Sequence, residues 1–139
     1  MGSSGTTRPQ GGSLAALVEE GEYEEAARRY FLIQVGETKR LLTVRHSLLL
    51  GEWLAAKGYA RAALVLFQRH LRDYPVGPGA TEAHVAVGLL QLRAFGQPTS
   101  AYQHLVEALG LDPSPEVEAR ARRGLAQIAA IQKFKLDTL

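Results

Sequence analysis

The side chains in this sequence best suited to proton transfer or metal binding are its four histidines, His46, His70, His84 and His104. A helical metal site needs ligands three or four residues apart, because that spacing places them on one face of the helix. No two of the histidines have that spacing, and no Asp or Glu completes a helical metal motif. The sequence therefore predicts packed or surface histidines, and no metal or other cofactor.

Nucleophilic catalysis and phosphate binding are not indicated either. The chain has no cysteine, which excludes disulfides, thiolate zinc sites and cysteine nucleophiles together. Ser47 and Ser100 lack the glycine-flanked elbow and the suitably spaced base of a serine hydrolase. The segment Gly77-Pro78-Gly79 indicates a turn, not a phosphate-binding loop. We therefore expect a protein without enzymatic activity.

The composition is that of an ordinary globular domain. The chain has 139 residues, of which 46% are hydrophobic and 22% charged. Sixteen Lys and Arg stand against fourteen Asp and Glu, a balance too even to indicate nucleic-acid binding by itself. The longest apolar stretch, 48–56, contains Glu52 and is far shorter than the roughly 20 residues of a membrane span. Since no secretory signal is recognisable, we expect a cytoplasmic protein or the cytosolic part of a larger one.

Helical periodicity runs through the chain from Ser13 onward and predicts an all-α fold. Residues 1–12 are rich in glycine and predict a flexible leader, 13–133 form the predicted helical domain, and 134–139 form a short C-terminal tail. The predicted helices are 13–20, 22–35, 39–57, 59–73, 82–95, 98–109 and 115–133.

Helix-ending and helix-starting residues delimit these ranges. The expected ends carry glycine, which accepts the left-handed turn after a helix; these glycines are Gly21, Gly36, Gly58, Gly96 and Gly110. The expected starts carry a hydroxyl residue that caps the first turn, namely Thr38, Thr81 and Ser114. Pro98 and Pro115 suit a first helical turn.

An internal repeat is the strongest pattern in the sequence. Gly58 is followed after five residues by Ala63, after four more by Phe67, and after eight more by Pro75. The same series recurs as Gly96, Ala101, Leu105 and Pro113. A partial copy begins at Gly21, continues with Ala26 and Tyr30, and has Thr38 in place of proline.

Close packing of two antiparallel helices explains this spacing. Two helix backbones approach closely only where their side chains are small, so we expect Gly51 to face Ala63, with Phe67 filling the seam one turn further along. Gly88, Ala101 and Leu105 are expected to repeat that arrangement. A single hairpin cannot bury its faces alone, so stacked copies are required.

The series resembles the tetratricopeptide repeat, whose period is about 34 residues. The resemblance covers 13–133, with about three repeats and a last helix similar to the capping helix of such arrays. It implies a short right-handed solenoid of about seven helices. The copies are 37 and 38 residues apart, longer than the family period, and His70 stands where the family usually has alanine. A bundle of helical hairpins without the superhelix is the alternative.

The resemblance also implies a partner-binding groove. In this family the first helix of each pair lines a concave surface that holds an extended peptide or a partner's helix. The matching positions here are Arg45, Leu48, Glu52, Ala55 and Ala56 in one copy, Ala83, Ala86, Leu90, Arg93 and Ala94 in the next, and Val117, Arg120, Gln127 and Ile128 in the last helix. A helical wheel independently places Ala86, Leu90 and Ala94 on a second apolar face, apart from Val85, Gly88, Leu89 and Leu92.

The charges of this predicted groove indicate the kind of ligand. Three arginines stand against one glutamate, which suits a peptide with small apolar side chains and an acidic or C-terminal carboxylate. Family members that hold chaperone tails use paired asparagines and lysines. This chain has no asparagine and its groove positions include no lysine, so that clamp is not expected.

The predicted function is therefore a non-catalytic protein–protein interaction module, or scaffold. Two other functions stay open. In the first, the last helix and Phe134-Lys135-Leu136 pair with a second copy, so that the chain is a structural assembly unit. In the second, the basic end of the chain binds RNA through Arg120, Arg122, Arg123, Lys133 and Lys135. The absence of stacking aromatics at the groove positions is evidence against RNA.

Overall fold

The computed structural model describes residues 13–77 and 79–139, so the predicted leader lies outside the described residues. The secondary structure of the described residues consists of eight α-helices and one 3₁₀ turn with no strand, which confirms the all-α prediction. The helices are α1 (Leu14–Glu19), α2 (Tyr23–Tyr30), α3 (Thr38–Leu41), α4 (Val44–Ala56), α5 (Ala60–Asp73), α6 (Ala80–Arg93), α7 (Pro98–Leu109) and α8 (Pro115–Asp137), and the 3₁₀ turn is Val35–Glu37. None of these helices is both long and apolar enough to span a bilayer. The chain divides into two compact units between Asp73 and Tyr74.

Unit 1 contains two helical hairpins, α1–α2 and α4–α5, and both helices of the first hairpin pack against α4. Gly58 joins α4 to α5 with a φ of 87°, a conformation that glycine adopts without steric cost. Gly51 brings these two helices together, since a Cβ at this glycine would lie 2.5 Å from Phe67 Cζ. The Phe67 ring therefore fills the space that the missing side chain leaves.

Unit 2 contains the hairpin α6–α7, and α8 packs against both of its helices. Leu105 of α7 is completely buried and lies between two glycines. A Cβ at Gly88 of α6 would be 2.9 Å from Leu105 Cδ2, and a Cβ at Gly124 of α8 would be 2.7 Å from Leu105 Cδ1. The same Cβ at Gly88 would lie 3.2 Å from the Ala101 carbonyl oxygen. One leucine thus occupies the place where all three helices meet.

The prediction of one helix over 39–57 is wrong, and the described residues contain eight helices where about seven were expected. Leu42 and Thr43 are extended, and they separate α3 from α4. The Thr43 side chain accepts a hydrogen bond from the backbone N–H of His46 and so caps α4. Because such a cap satisfies one of the four unpaired N–H groups at a helix start, it favours a new helix here over a continuous one.

Several other helix ends differ from the predicted ones. The helix predicted over 22–35 ends at Tyr30, and Gly36 lies inside the 3₁₀ turn. The helix predicted over 82–95 is α6, whose N-cap is Gly79 with a φ of 84°, while the Thr81 hydroxyl donates to Glu82. The last helix extends past 133 to Asp137, into the segment expected to be a tail. Ser114 caps it and Pro115 begins it, as predicted.

Candidate functional site

The second apolar face of α6 remains partly accessible. Ala86 and Leu90 are half-buried, and Ala94, directly after the helix, is exposed. The other apolar face, with Val85 and Leu92, belongs to the core of unit 2. Small side chains at Ala86 and Ala94 on either side of Leu90 leave room for the backbone of a ligand close to the helix. We call Ala86, Leu90 and Ala94 the α6 face.

A fixed arginine borders the α6 face. Arg93 is exposed at the end of α6, and its Nε donates a hydrogen bond to Gln127 Oε1 of α8 at 3.2 Å. This hydrogen bond orients the guanidinium group. Because it involves only Nε, the Nη1 and Nη2 groups can donate to a ligand. Arg120, on the same helix as Gln127, is half-buried. The structure thus brings together two of the predicted groove positions, Arg93 and Gln127.

The groove positions of α4 belong to unit 1 and form a more polar surface. Arg45, Glu52, Ala55 and Ala56 are exposed, and Leu48 is half-buried. Arg45 Nη1 lies 2.7 Å from Glu19 Oε1. The hydrogen bond from Arg45 lowers the pKa of the Glu19 carboxyl group. The positive charge predicted for this part of the groove is therefore matched by a carboxylate of the chain itself.

Three of the predicted groove positions do not face solvent. Ala83 is completely buried, and Val117 and Ile128 are 6% and 2% exposed. Val117 and Ile128 belong to the core of unit 2, in one cluster with Leu105. Their assignment to the groove was wrong, because a short or apolar side chain on a helix fits a buried position as well as a binding surface.

A hydroxyl, an imidazole and a carboxylate form a chain at the start of α4. Thr43 Oγ1 lies 2.9 Å from His46 Nδ1, and His46 Nε2 lies 2.8 Å from Glu19 Oε1. The order resembles that of a hydrolytic triad, but the Thr43 oxygen also accepts the capping hydrogen bond from the His46 backbone at 3.2 Å. In a capping box the third helical residue likewise returns a hydrogen bond to the cap residue. Capping of α4 therefore accounts for this arrangement.

Two histidines far apart in sequence meet in unit 2, which the spacing analysis did not find. His84 of α6 and His104 of α7 are half-buried, and their Nδ1 atoms lie 2.9 Å apart. Burial lowers the pKa of both rings, and the charge of His84 lowers the pKa of His104 further, while the charge of Glu107 acts in the opposite direction on both. In the neutral form one Nδ1 donates and the other accepts.

This pair makes the stability of unit 2 depend on pH. Well above pH 6.5, the ordinary pKa of histidine, both side chains are neutral in the folded and the unfolded chain. As the pH falls below this value, the unfolded chain binds protons that the folded chain does not, because the pKa values of both histidines are lowered in the folded state. The free energy of unfolding should therefore fall as the pH falls. Urea unfolding from about pH 8 to about pH 5 measures this. The double variant His84→Gln, His104→Gln should show a smaller slope, and an unchanged slope would contradict the assignment.

The described residues contain no group of three His, Cys, Asp or Glu side chains that could hold a metal ion. What they present is an apolar helix face with a fixed arginine beside it in unit 2, and an ion-paired, more polar helix surface in unit 1. Such surfaces suit recognition of another chain. No family model, curated protein or solved structure matches this chain.

Proposed function

We propose that this chain is a non-catalytic interaction module of the tetratricopeptide type, which binds a peptide or helix of a protein partner. The observation that carries the proposal is the α6 face with Arg93 beside it. An apolar strip next to an oriented guanidinium group can bind apolar side chains and a carboxylate of the same ligand. The spacing of the glycines, alanines and prolines in the two full repeats supports the tetratricopeptide assignment.

The contacts of Arg45 and Arg93 support one position for the carboxylate of the proposed ligand. Arg45 already pairs with Glu19, so a ligand carboxylate there competes with a residue of the chain. Arg93 is held by the neutral amide of Gln127 through Nε alone, so its charge is not neutralised by that contact. We therefore place the acidic or C-terminal carboxylate of the ligand at Arg93, and its small apolar side chains along Ala86, Leu90 and Ala94.

The proposal predicts that reversing the charge at Arg93 weakens peptide binding. Peptides that bind the wild-type chain are selected from a random library displayed with free C-termini, and the affinity of the best sequences is measured by calorimetry. Arg93→Glu should weaken binding by about tenfold or more, because it replaces attraction of a carboxylate with repulsion. Capping the peptide's C-terminus as an amide, or replacing its acidic residues, should have a similar effect.

Arg123→Glu is the matched control, since Arg123 is an exposed arginine on α8, outside the predicted groove. It makes the same change in net charge and should leave the peptide affinity within about twofold of wild type. Equal affinity of Arg93→Glu and wild type would refute the placement of the carboxylate. Equal losses in both variants would mean that only the net charge of the chain matters.

A further inference from the structure

Two histidine rings face each other across the α6–α7 hairpin of unit 2. His84 and His104 are half-buried, their Nδ1 atoms lie 2.9 Å apart, and their ring centres lie 5.2 Å apart. Metal-binding histidines on a helix are usually recognised by a spacing of three or four residues. That spacing rule does not apply here, because the two rings come from two different helices. We call His84 and His104 the histidine pair.

The distance between the two ring centres is that of two imidazoles bound to one tetrahedral ion. A zinc–imidazole bond is about 2.0–2.1 Å long, and the ring centre, about 1.15 Å beyond the nitrogen, therefore lies about 3.2 Å from the ion. At the tetrahedral angle two such centres are about 5.2 Å apart. The histidine pair already has this separation.

Only a rotation of the rings is needed to aim both Nδ1 atoms at such an ion. In a tetrahedral complex the two nitrogens are about 3.3–3.4 Å apart, slightly more than the present 2.9 Å. The centre of a histidine ring lies close to the axis of the Cβ–Cγ bond. Turning each ring about that bond therefore moves Nδ1 and leaves the ring centre nearly in place, so the helices need not move.

The protonation of the histidine pair also suits a metal ion. Burial lowers the pKa of both rings, which favours the neutral imidazole at neutral pH, and the neutral form is the one that binds metals. In the hydrogen-bonded pair one ring carries its proton on Nδ1. When both Nδ1 atoms bind an ion, that proton moves to Nε2 of the same ring, and no proton is released overall.

A carboxylate adds negative charge beside the pair. Glu107 follows His104 by three residues on α7, so their side chains are neighbours on the helix surface. Its charge acts on both histidines in the direction that favours positive charge there. Since the described residues contain no group of three side chains that could hold a metal, two positions of a tetrahedral ion are left to water.

We propose that the histidine pair binds one zinc ion, which links α6 to α7. Tetrahedral coordination by imidazole suits zinc. A square-planar ion such as Cu²⁺ would bring the two ring centres to about 4.5 Å, closer than they lie in this fold. With two ligands from the protein the dissociation constant should be in the micromolar range. Because the ion binds the folded hairpin, zinc stabilises unit 2.

The zinc site is independent of the peptide-binding proposal. Arg93 borders the α6 face and bonds to Gln127 of α8, whereas the histidine pair joins α6 to α7. Arg93→Glu should therefore leave the zinc affinity unchanged. Conversely, His104→Gln should leave the peptide affinity at the α6 face unchanged, so the failure of one proposal is distinguishable from that of the other.

Calorimetric titration of the full chain with zinc chloride, after removal of metals with a chelator, tests the site. The wild-type chain should bind one ion. His84→Gln and His104→Gln should each weaken binding by about tenfold or more, because each removes one of the two protein ligands. Both side chains are half-buried and glutamine is polar too, so folding should be preserved, which circular dichroism checks. Mg²⁺ should not bind, since it requires oxygen ligands.

His46→Gln is the matched control. His46 is a half-buried histidine of unit 1 that contacts Glu19, so this variant loses one imidazole and keeps the histidine pair. It should bind zinc like the wild-type chain. Equal losses in all three variants would show that zinc binds histidines in general, and would refute the site. Unchanged binding in His84→Gln or in His104→Gln would overturn the proposal, as would a wild-type chain that binds no zinc at millimolar concentration.

Nitrogen-15 NMR of the histidine rings identifies the atoms that bind the ion. Zinc should shift the Nδ1 signals of His84 and His104 and leave a proton on both Nε2 atoms, while the rings of His46 and His70 should not respond. A hydrogen bond with a purely structural role would give no response to zinc at either ring. That result, or a response at only one ring of the pair, would contradict the proposal.

Discussion

Replacing Leu105 by alanine is expected to lower the free energy of unfolding of unit 2 by about 3–5 kcal/mol. Leu105 is completely buried and belongs to the core cluster formed by α6, α7 and α8. Its two methyl groups fill the spaces that Gly88 and Gly124 leave. Truncation removes contacts with all three helices at once, and the cavity cannot close without moving two helices. Urea unfolding followed by far-UV circular dichroism measures the loss.

The same geometry predicts that Gly124→Ala has opposite effects on the free energy of unfolding in the wild-type chain and in the Leu105→Ala chain. In the wild-type chain Gly124→Ala should destabilise, because the new Cβ would lie 2.7 Å from Leu105 Cδ1 and 3.0 Å from Leu89 Cδ2. In the Leu105→Ala chain the first of these contacts is gone. The alanine then fills part of the cavity and gains about 1 kcal/mol of helix propensity over glycine, so the substitution should stabilise. Additive effects of the two substitutions would contradict the packing described for unit 2.

The second large effect is expected from Gly51→Val in unit 1, at about 2–3 kcal/mol of destabilisation. A Cβ at Gly51 would already lie 2.5, 2.8 and 2.9 Å from three atoms of the Phe67 ring. The ring is 2% exposed, so it has no open space to move into. The cost exceeds the few tenths of a kcal/mol that valine gains over glycine in a helix. Fluorescence of the only tryptophan, Trp53, reports unit 1 during urea unfolding.

Two further variants test whether the close approach of α4 and α5 causes this loss of stability. At Gly36 a Cβ would meet nothing within 4 Å, so Gly36→Val should change the stability of unit 1 little. Phe67→Leu destabilises by itself, because it shortens a buried side chain. Combined with Gly51→Val, it should cost less than the two single losses together, because the shorter side chain makes room for the valine. An interaction energy near zero would show that Gly51 and Phe67 do not share this space.

The repeat in the sequence predicted the contacts of Gly88 with Ala101 and Leu105, whereas the nearest atoms to the Gly51 position all belong to Phe67 and not to Ala63. Glycines and large apolar residues recur at fixed offsets, and that regularity is visible without coordinates because it follows from helix geometry. The break between α3 and α4 was missed for a local reason. A capping box is recognised by Glu or Gln three residues after the cap, and after Thr43 that position holds His46.

The candidate sites were less predictable because they depend on which residues meet across helices. His84 and His104 are twenty residues apart and touch only because α6 and α7 pack in one particular register. A pocket of unit 1 is lined by Phe31, Trp53 and Tyr59, which come from different segments and each of which suggests an ordinary core residue in sequence. Ala83 and Ala86 are chemically identical, yet one is fully buried and the other half-buried.

Every residue of α8 from 129 to 137 is exposed, and this has a consequence for how the chain responds to binding. A free peptide of nine residues, the length of 129–137, is too short to hold a helix in water, because the first turn is costly to nucleate. In this chain the nucleus is supplied by the preceding turns, which Val117, Ala121, Gly124 and Ile128 anchor. The helical state of the end is therefore linked to the folded state of unit 2. Any partner that binds the helical form of this end stabilises unit 2 through mass action, without touching its core.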